Sequence, residues 1–112
     1  TWYAANRRAE IGRPIPANLG NASTWKVLAQ RAGIPVGNTP AAGAVIWTPP
    51  RDYYGHVGYV EQVNEDGSIW TSDMNTYGFV SMDVNSGRTG GWGVRSYKFF
   101  TAEQAAGYSY IY

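Results

Sequence analysis

Three polar side chains of this 112-residue sequence have the types and spacing for joint acid–base chemistry. They are His56 in Gly55-His56-Val57-Gly58-Tyr59-Val60, and Asp73 and Asn75 in Ser72-Asp73-Met74-Asn75. A carboxylate or amide oxygen that accepts from one imidazole nitrogen fixes the tautomer. The other nitrogen is then left to take a proton from a thiol and return it to a leaving amine. Those are the groups a cysteine hydrolase arranges around its nucleophile, yet the sequence contains no cysteine. A lone histidine on a hairpin is more often an ordinary surface side chain. The acid and the amide, two residues apart on the adjacent run, favour the chemical reading.

Strand alternation decides which of these groups meet. His56 to Asn64 and Ser68 to Asn75 are β-rich runs joined at Asn64-Glu65-Asp66-Gly67, a hairpin signal. A loop from Asn64 to Gly67 pairs Val63 with Ser68, and the same register sets His56 opposite Asn75 with Asp73 as its diagonal neighbour. Both lie within side-chain reach, at about 5 Å and about 7–8 Å. Glu61, the acid nearest His56 in sequence, alternates to the other face. Gly55 and Gly58 are expected to keep the approach to the ring open.

The elements around this hairpin read as helices first and strands afterwards. Thr1 to Ile11 carries Trp2, Ala5, Arg8, Ala9 and Ile11, a helix-compatible run stopped by Gly12 and Pro14. After a loop from Arg13 to Gly20, Ser23 or Thr24 can cap a second helix. Its apolar side is Trp25, Val27, Leu28 and Ala32, and Gly33 with Pro35 ends it. Ala44 to Thr48, Val94 to Phe100 and Tyr108 to Tyr112 read as further strands. Gly78 to Trp92 is a polar hairpin or long loop, and Thr101 to Gln104 can open one helical turn. The layout is α+β, N-terminal helices packed on one face of a twisted antiparallel sheet of about five strands, in one domain over 1–112.

Composition narrows the function classes. A hydrophobic content of 44% and charged content of 15% are those of a globular protein. A mean hydropathy of -0.36 with no long apolar run excludes a membrane span. Nine cations scattered among eight acids leave a net charge of +1 and no basic stripe, so nucleic acid is not an expected partner. One histidine and dispersed acids do not build a zinc site. Asp66-Gly67 and Asp83-Val84-Asn85-Ser86-Gly87 lack the full spacing of a calcium loop, so neither a metal nor another cofactor is expected. Five Trp, nine Tyr and three Phe exceed what one small core easily holds. Trp2, Trp25, Trp70 and Phe99 fit the core. Trp47, Tyr53, Tyr54, Tyr77 and Trp92, in or beside loops near His56, are candidate substrate contacts.

Four segments together carry a resemblance: Thr1-Trp2-Tyr3-Ala4-Ala5-Asn6-Arg7-Arg8, Ala42-Gly43-Ala44-Val45-Ile46-Trp47, Tyr54-Gly55-His56-Val57-Gly58-Tyr59-Val60-Glu61 and Ser72-Asp73-Met74-Asn75. The sequence is similar to CHAP domains, the cysteine, histidine-dependent amidohydrolase/peptidase domains of bacterial cell-wall hydrolases and phage lysins. It is most similar to their secretory-antigen-like branch, nearly end to end. The resemblance implies a papain-like fold, bacterial peptidoglycan as partner, no membrane, and an amide of the stem peptide, cross-bridge or muramoyl-alanine link as substrate. His56 becomes the general base, oriented by Asp73, Asn75 or both. The family's first motif reads Cys-Thr-Trp-Tyr, so the nucleophile is expected directly before Thr1 and the chain reads as cut just after it. Thr1 as nucleophile and a domain without one are the alternatives, the latter being a wall-binding or virion structural module that keeps the fold. Further domains upstream and a location outside the cell or in a virion are also implied.

Overall fold

The computed structural model describes residues 2–16, 19–20, 22–48 and 56–112. Tyr53, Tyr54, Gly55 and Thr1 lie outside the described residues. The first helix, α1 (Trp2–Glu10), buries Tyr3, Ala4 and Arg8, with Arg8 one turn on from Ala4 on the same side. Arg7 and Arg8 in its last turn suit the negative end of the helix dipole. It ends where expected, at Gly12. There φ is +73°, Arg13 N–H donates to the Arg8 carbonyl (2.9 Å) and Gly12 N–H to the Ala9 carbonyl (3.1 Å). This left-handed closure strains any side chain, which is why glycine serves.

A short 3₁₀ turn, Ala22–Thr24, leads into α2 (Trp25–Arg31). Thr24 takes the cap position, and its hydroxyl donates to the Leu19 carbonyl at 2.6 Å. The buried side of α2 is Trp25 and Ala29, one turn apart, with Leu28 half-buried. Val27 and Ala32, expected on that side, are exposed, because a stripe through Trp25 and Ala29 turns them outward. The helix closes at Gly33 as α1 does at Gly12, with Ile34 N–H donating to the Ala29 carbonyl (3.0 Å). Ile34 packs against the cluster that contains Ala29.

The remainder forms one antiparallel sheet. Its strands are β1 (Val36–Gly37), β2 (Val45–Thr48), β3 (His56–Val63), β4 (Ile69–Met74), β5 (Gly78–Phe79), β6 (Arg88–Thr89), β7 (Arg95–Phe100) and β8 (Ser109–Ile111). They lie in the order β1-β8-β2-β3-β4-β7-β5-β6. The expected strands are all present. The three additions are two-residue pairings, too short to leave an alternation in the sequence. The Gly78–Trp92 excursion contains the β5–β6 hairpin.

The hairpin loop is longer than expected. Val63 pairs with Ile69, not Ser68, because Asp66 folds over the turn and accepts from the backbone N–H of Ser68 at 2.9 Å. A bulge at Glu61 then inserts one extra residue in β3, so Tyr59 pairs with Ser72 and Val60 with Thr71. The two shifts cancel. Beyond the bulge the register is the one the four-residue loop implied.

Both faces of the sheet are covered. Val45, Val57 and Ile111 pack with Ala4, Leu19, Ala22, Trp25 and Ala29 beneath α1 and α2. Ala44, Ile46, Val60, Ile69 and Tyr110 pack on the opposite face around Ala105 of α3 (Ala102–Ala105). The two N-terminal helices therefore share one face as expected, and α3 covers the other. A capping box starts α3: Gln104 N–H donates to Thr101 Oγ1 (3.2 Å) and Thr101 N–H to Gln104 Oε1 (2.9 Å). Of the aromatics assigned to the core, Trp25 and Trp70 are buried. Trp2 is 68% exposed, and Phe99 sits at the rim against Trp70.

Arg8 binds α1 to this sheet. The residue is 3% exposed, and its guanidinium donates to the backbone oxygens of Arg13 (3.0 Å), Gly43 (2.9 Å), Ile111 (3.0 Å) and Tyr112 (2.6 Å). Burial, and secondarily Arg13, pushes its pKa below the usual arginine value. Arg8→Met preserves much of the volume but strands those carbonyls. It should lower unfolding free energy by about 3 kcal/mol, read from urea denaturation midpoints.

Candidate active site

His56 opens β3 opposite Thr48 of β2, whose hydroxyl donates to the His56 carbonyl at 3.1 Å. Its imidazole is about a third exposed, and Nε2 lies 2.6 Å from Asp73 Oδ2. The Asp73 side chain is only 3% exposed, so its charge requires compensation from its surroundings. Lys98 Nζ sits 3.1 Å from the same Oδ2. Oδ1 accepts from Thr76 Oγ1 at 2.7 Å and from Ser96 Oγ at 3.0 Å. Burial pushes the Asp73 carboxyl up, but the bond from His56, the charge of Lys98 and the bond from Thr76 outweigh it and hold it below the usual carboxylate range. An ionised Asp73 only accepts, so Nε2 carries the proton and Nδ1 keeps a lone pair for base chemistry.

His56 and Asp73 thus meet as the diagonal pair the hairpin register implied. Asn75 does not join them by the same route. It lies just past β4 with φ at +69°, and its Oδ1 accepts from Gly93 N–H at 2.7 Å. Left-handed backbone at Asn75 turns its side chain out of the strand's alternation. Gly58 is not an open approach to the ring. A Cβ there would lie 3.2 Å from Ile46 Cγ2 and 3.2 Å from the Ser72 carbonyl oxygen, so this glycine serves close packing.

Glu61 points away from His56. Its carboxylate pairs with Arg7 at 2.9 Å and accepts from Ser72 Oγ at 2.9 Å, while Tyr3 OH donates to Ser72 Oγ at 2.7 Å. The Tyr3 bond sets the first turn of α1 beside Ser72, next to Asp73 in β4. The start of α1 therefore lies at the sheet end where β3 begins and β4 finishes.

Among the substrate-contact candidates, Tyr77 is 82% and Trp92 90% exposed. Tyr77 packs beside Gly90, since a Cβ on Gly90 would lie 2.8 Å from its ring. Trp92 rides on the Gly91–Gly93 turn that Asn75 holds. Trp47 has another position: half-buried against the α1/α2 core, it donates from Nε1 to the Ala22 carbonyl at 2.8 Å. Among the described residues no group of three His, Cys, Asp or Glu side chains converges as a metal site. Lys98, Thr76 and Ser96 escaped sequence reasoning. Two of them lie on β7, whose register against β4 no local motif announces.

The CHAP domain profile matches residues 1–75, a span that takes in α1, His56, Asp73 and Asn75. The chain belongs to the CHAP domain family. Over 112 residues this CHAP domain is 43% identical to staphylococcal secretory antigen ssaA2 of Staphylococcus aureus strain NCTC 8325, covering 100% of this chain and 36% of that protein. It is 47% identical over 89 residues to the probable autolysin LDP of the same strain, covering 80% of this chain and 30% of that protein. The crystal structure of an N-acetylmuramoyl-L-alanine amidase from Staphylococcus aureus superposes with a TM-score of 0.81 at 34% identity, covering 100% of this chain and 29% of that one. The fold is accordingly α+β and papain-like. The chain spans only about a third of the length of the curated relatives it matches.

Because Asp73 is depressed in the folded protein, its contribution to stability is complete above the unfolded carboxylate value and is lost as pH falls through the folded one. Asp73→Asn should cost on the order of 2 kcal/mol at pH 7. It should also flatten the acid side of the stability curve, as read by urea melts at several pH values. A variant as acid-sensitive as the parent would show that another group sets the acid limb.

Proposed function

We propose that this CHAP domain is a peptidoglycan hydrolase that cleaves an amide bond with a Cys-His-Asp constellation. The observation that carries the reading is the 2.6 Å contact of His56 Nε2 with a buried Asp73 carboxylate, in a chain similar to a named amidase and a named autolysin. The nucleophile is assigned to a cysteine encoded directly before Thr1, the place the family's first motif gives it. At the N-terminal end of α1, free N–H groups and the helix dipole favour a thiolate.

The steps balance as acyl transfer. His56 Nδ1 takes the thiol proton, and sulfur attacks the amide carbon. The C–N bond then breaks as the imidazolium returns the proton to the departing amine. Water, deprotonated by the same nitrogen, splits the thioester and restores the thiol. Asp73 holds the ring and stabilises its charged form, while Asn75 assists by fixing the turn that carries Trp92. Tyr77 and Trp92 offer exposed ring faces to sugar or to peptide stems. Trp47 is left to the core. Such a domain acts outside the cell, at the wall, within a longer protein.

The bond cut is the muramoyl-alanine link or a stem or cross-bridge amide. Purified cell walls treated with a chain beginning at Thr1 should stay turbid. A chain extended to the encoded cysteine should clear them, and clearing by the shorter one would return Thr1 as nucleophile. In the extended protein His56→Ala should cost on the order of 100-fold or more in kcat, whereas Glu61→Gln, on the α1 side of the sheet, should stay within a few fold. Asp73→Asn should lower kcat steeply with KM little changed, and Asn75→Ala should be the milder of the two. A near-normal Asp73→Asn beside an inactive Asn75→Ala would reverse their roles.

A further inference from the structure

We propose that Lys98 is a positioning residue of the site, its ammonium group holding Asp73 ionised and so fixing the His56 tautomer with the proton on Nε2. This rests on the proposed hydrolase reading for its consequence in catalysis, though its electrostatics stand apart from it. Lys98 pairs with Thr71 across the β4–β7 ladder, two pairs away from Asp73 and Ser96 on the same face. That register brings Nζ to 3.1 Å from Oδ2, the same oxygen that faces His56 Nε2. Charged or titratable groups reach Asp73 from β3 (His56) and β7 (Lys98). Among the described residues the remaining partners are the hydroxyls of Thr76 and Ser96.

The need for a second cation follows from the burial of the carboxylate. With 3% of its side chain exposed, Asp73 gains little from water, and the Lys98 ammonium 3.1 Å away offsets that loss. The ionisation of Asp73 matters because a protonated Asp73 could donate to Nε2 and drive the ring proton onto Nδ1, leaving no lone pair toward the thiol. An ionised Asp73 forbids that tautomer. A lysine on a strand two away from His56 thereby sets which nitrogen acts as base, without touching the ring or the substrate.

The test uses the chain beginning at Thr1, which needs no cysteine. Carboxyl carbon resonances of Asp73 would be followed through an acid titration, and ring nitrogen shifts of His56, the single histidine, would report the tautomer. Lys98→Met should move the Asp73 midpoint up by about one unit or more and weaken the Nε2–H preference of the neutral ring, while Lys98→Arg should keep both near the parent. In the extended enzyme Lys98→Met should lower kcat with KM held, and Lys98→Arg should restore it. An unmoved Asp73 midpoint in folded Lys98→Met overturns the proposal. So does the unfolding of both Lys98→Met and Lys98→Gln where Lys98→Arg folds, since the ammonium would then serve the fold alone. Walls left intact by every extended form would defeat the hydrolase reading and leave the titration result standing.

Discussion

Everything at this site depends on where α1 lies against the sheet, and a buried guanidinium sets that. Among the described residues Arg8 bonds to no side-chain carboxylate; four backbone oxygens share its charge. Two belong to the carboxyl end of β8, one to the segment entering β2, and one to the chain leaving α1 itself. A planar fork with fixed donor directions accepts few arrangements of those carbonyls. Once it is satisfied, α1 has little freedom to slide or rotate, and apolar contacts from Ala4 fill in around it. Hydrophobic burial supplies the driving force, but it is non-directional and would tolerate neighbouring placements. The guanidinium selects one of them.

Positioning of the base has a different origin. His56 and Asp73 come from strands joined by a hairpin with a longer loop than the residue types imply, and a one-residue slip would turn Asp73 to the other face. The Glu61 bulge removes the slip. It also gives Glu61 a geometry that reaches both Arg7 and Ser72, so the irregularity that restores the register simultaneously ties β3 to α1. One extra residue in the strand serves both ends.

Much of this was legible in the sequence because local rules governed it. Gly12 and Gly33 end their helices by left-handed closures that only the chain's own neighbours determine, and Thr101 with Gln104 spells its capping box. The pairing of His56 with Asp73 was legible for a weaker reason, since the loop and the bulge erred by one residue in opposite senses. What stayed hidden was non-local. Arg8 read only as part of a helix-compatible run, because nothing in its neighbourhood announces carbonyls 35 and 103 residues away. Lys98 was equally silent, its meaning resting on the β4–β7 register. Trp47 misled because a ring beside a loop can as readily close a core as face a substrate, and its indole N–H found a buried carbonyl. Asn75 followed alternation on paper, but its left-handed backbone took it out of the strand.

Ser72 and Asp73 show how one strand can hold both halves of such a site. Consecutive residues of β4 point to opposite faces, so Ser72 reaches Tyr3 of α1 and Glu61 while Asp73 reaches His56 and Lys98. Each carboxylate has its own cation, Arg7 for Glu61 and Lys98 for Asp73, which keeps the two negative charges from competing for one partner. The helix start and the imidazole are thus fixed relative to the same short stretch of backbone, with no direct bond between them required. Their separation is then as rigid as one peptide unit in the interior of a sheet, the kind of support that preorganised acyl transfer needs. An imidazole held this way is free to exchange protons on Nδ1 without losing its place, because the bond to Asp73 that orients it is made at Nε2.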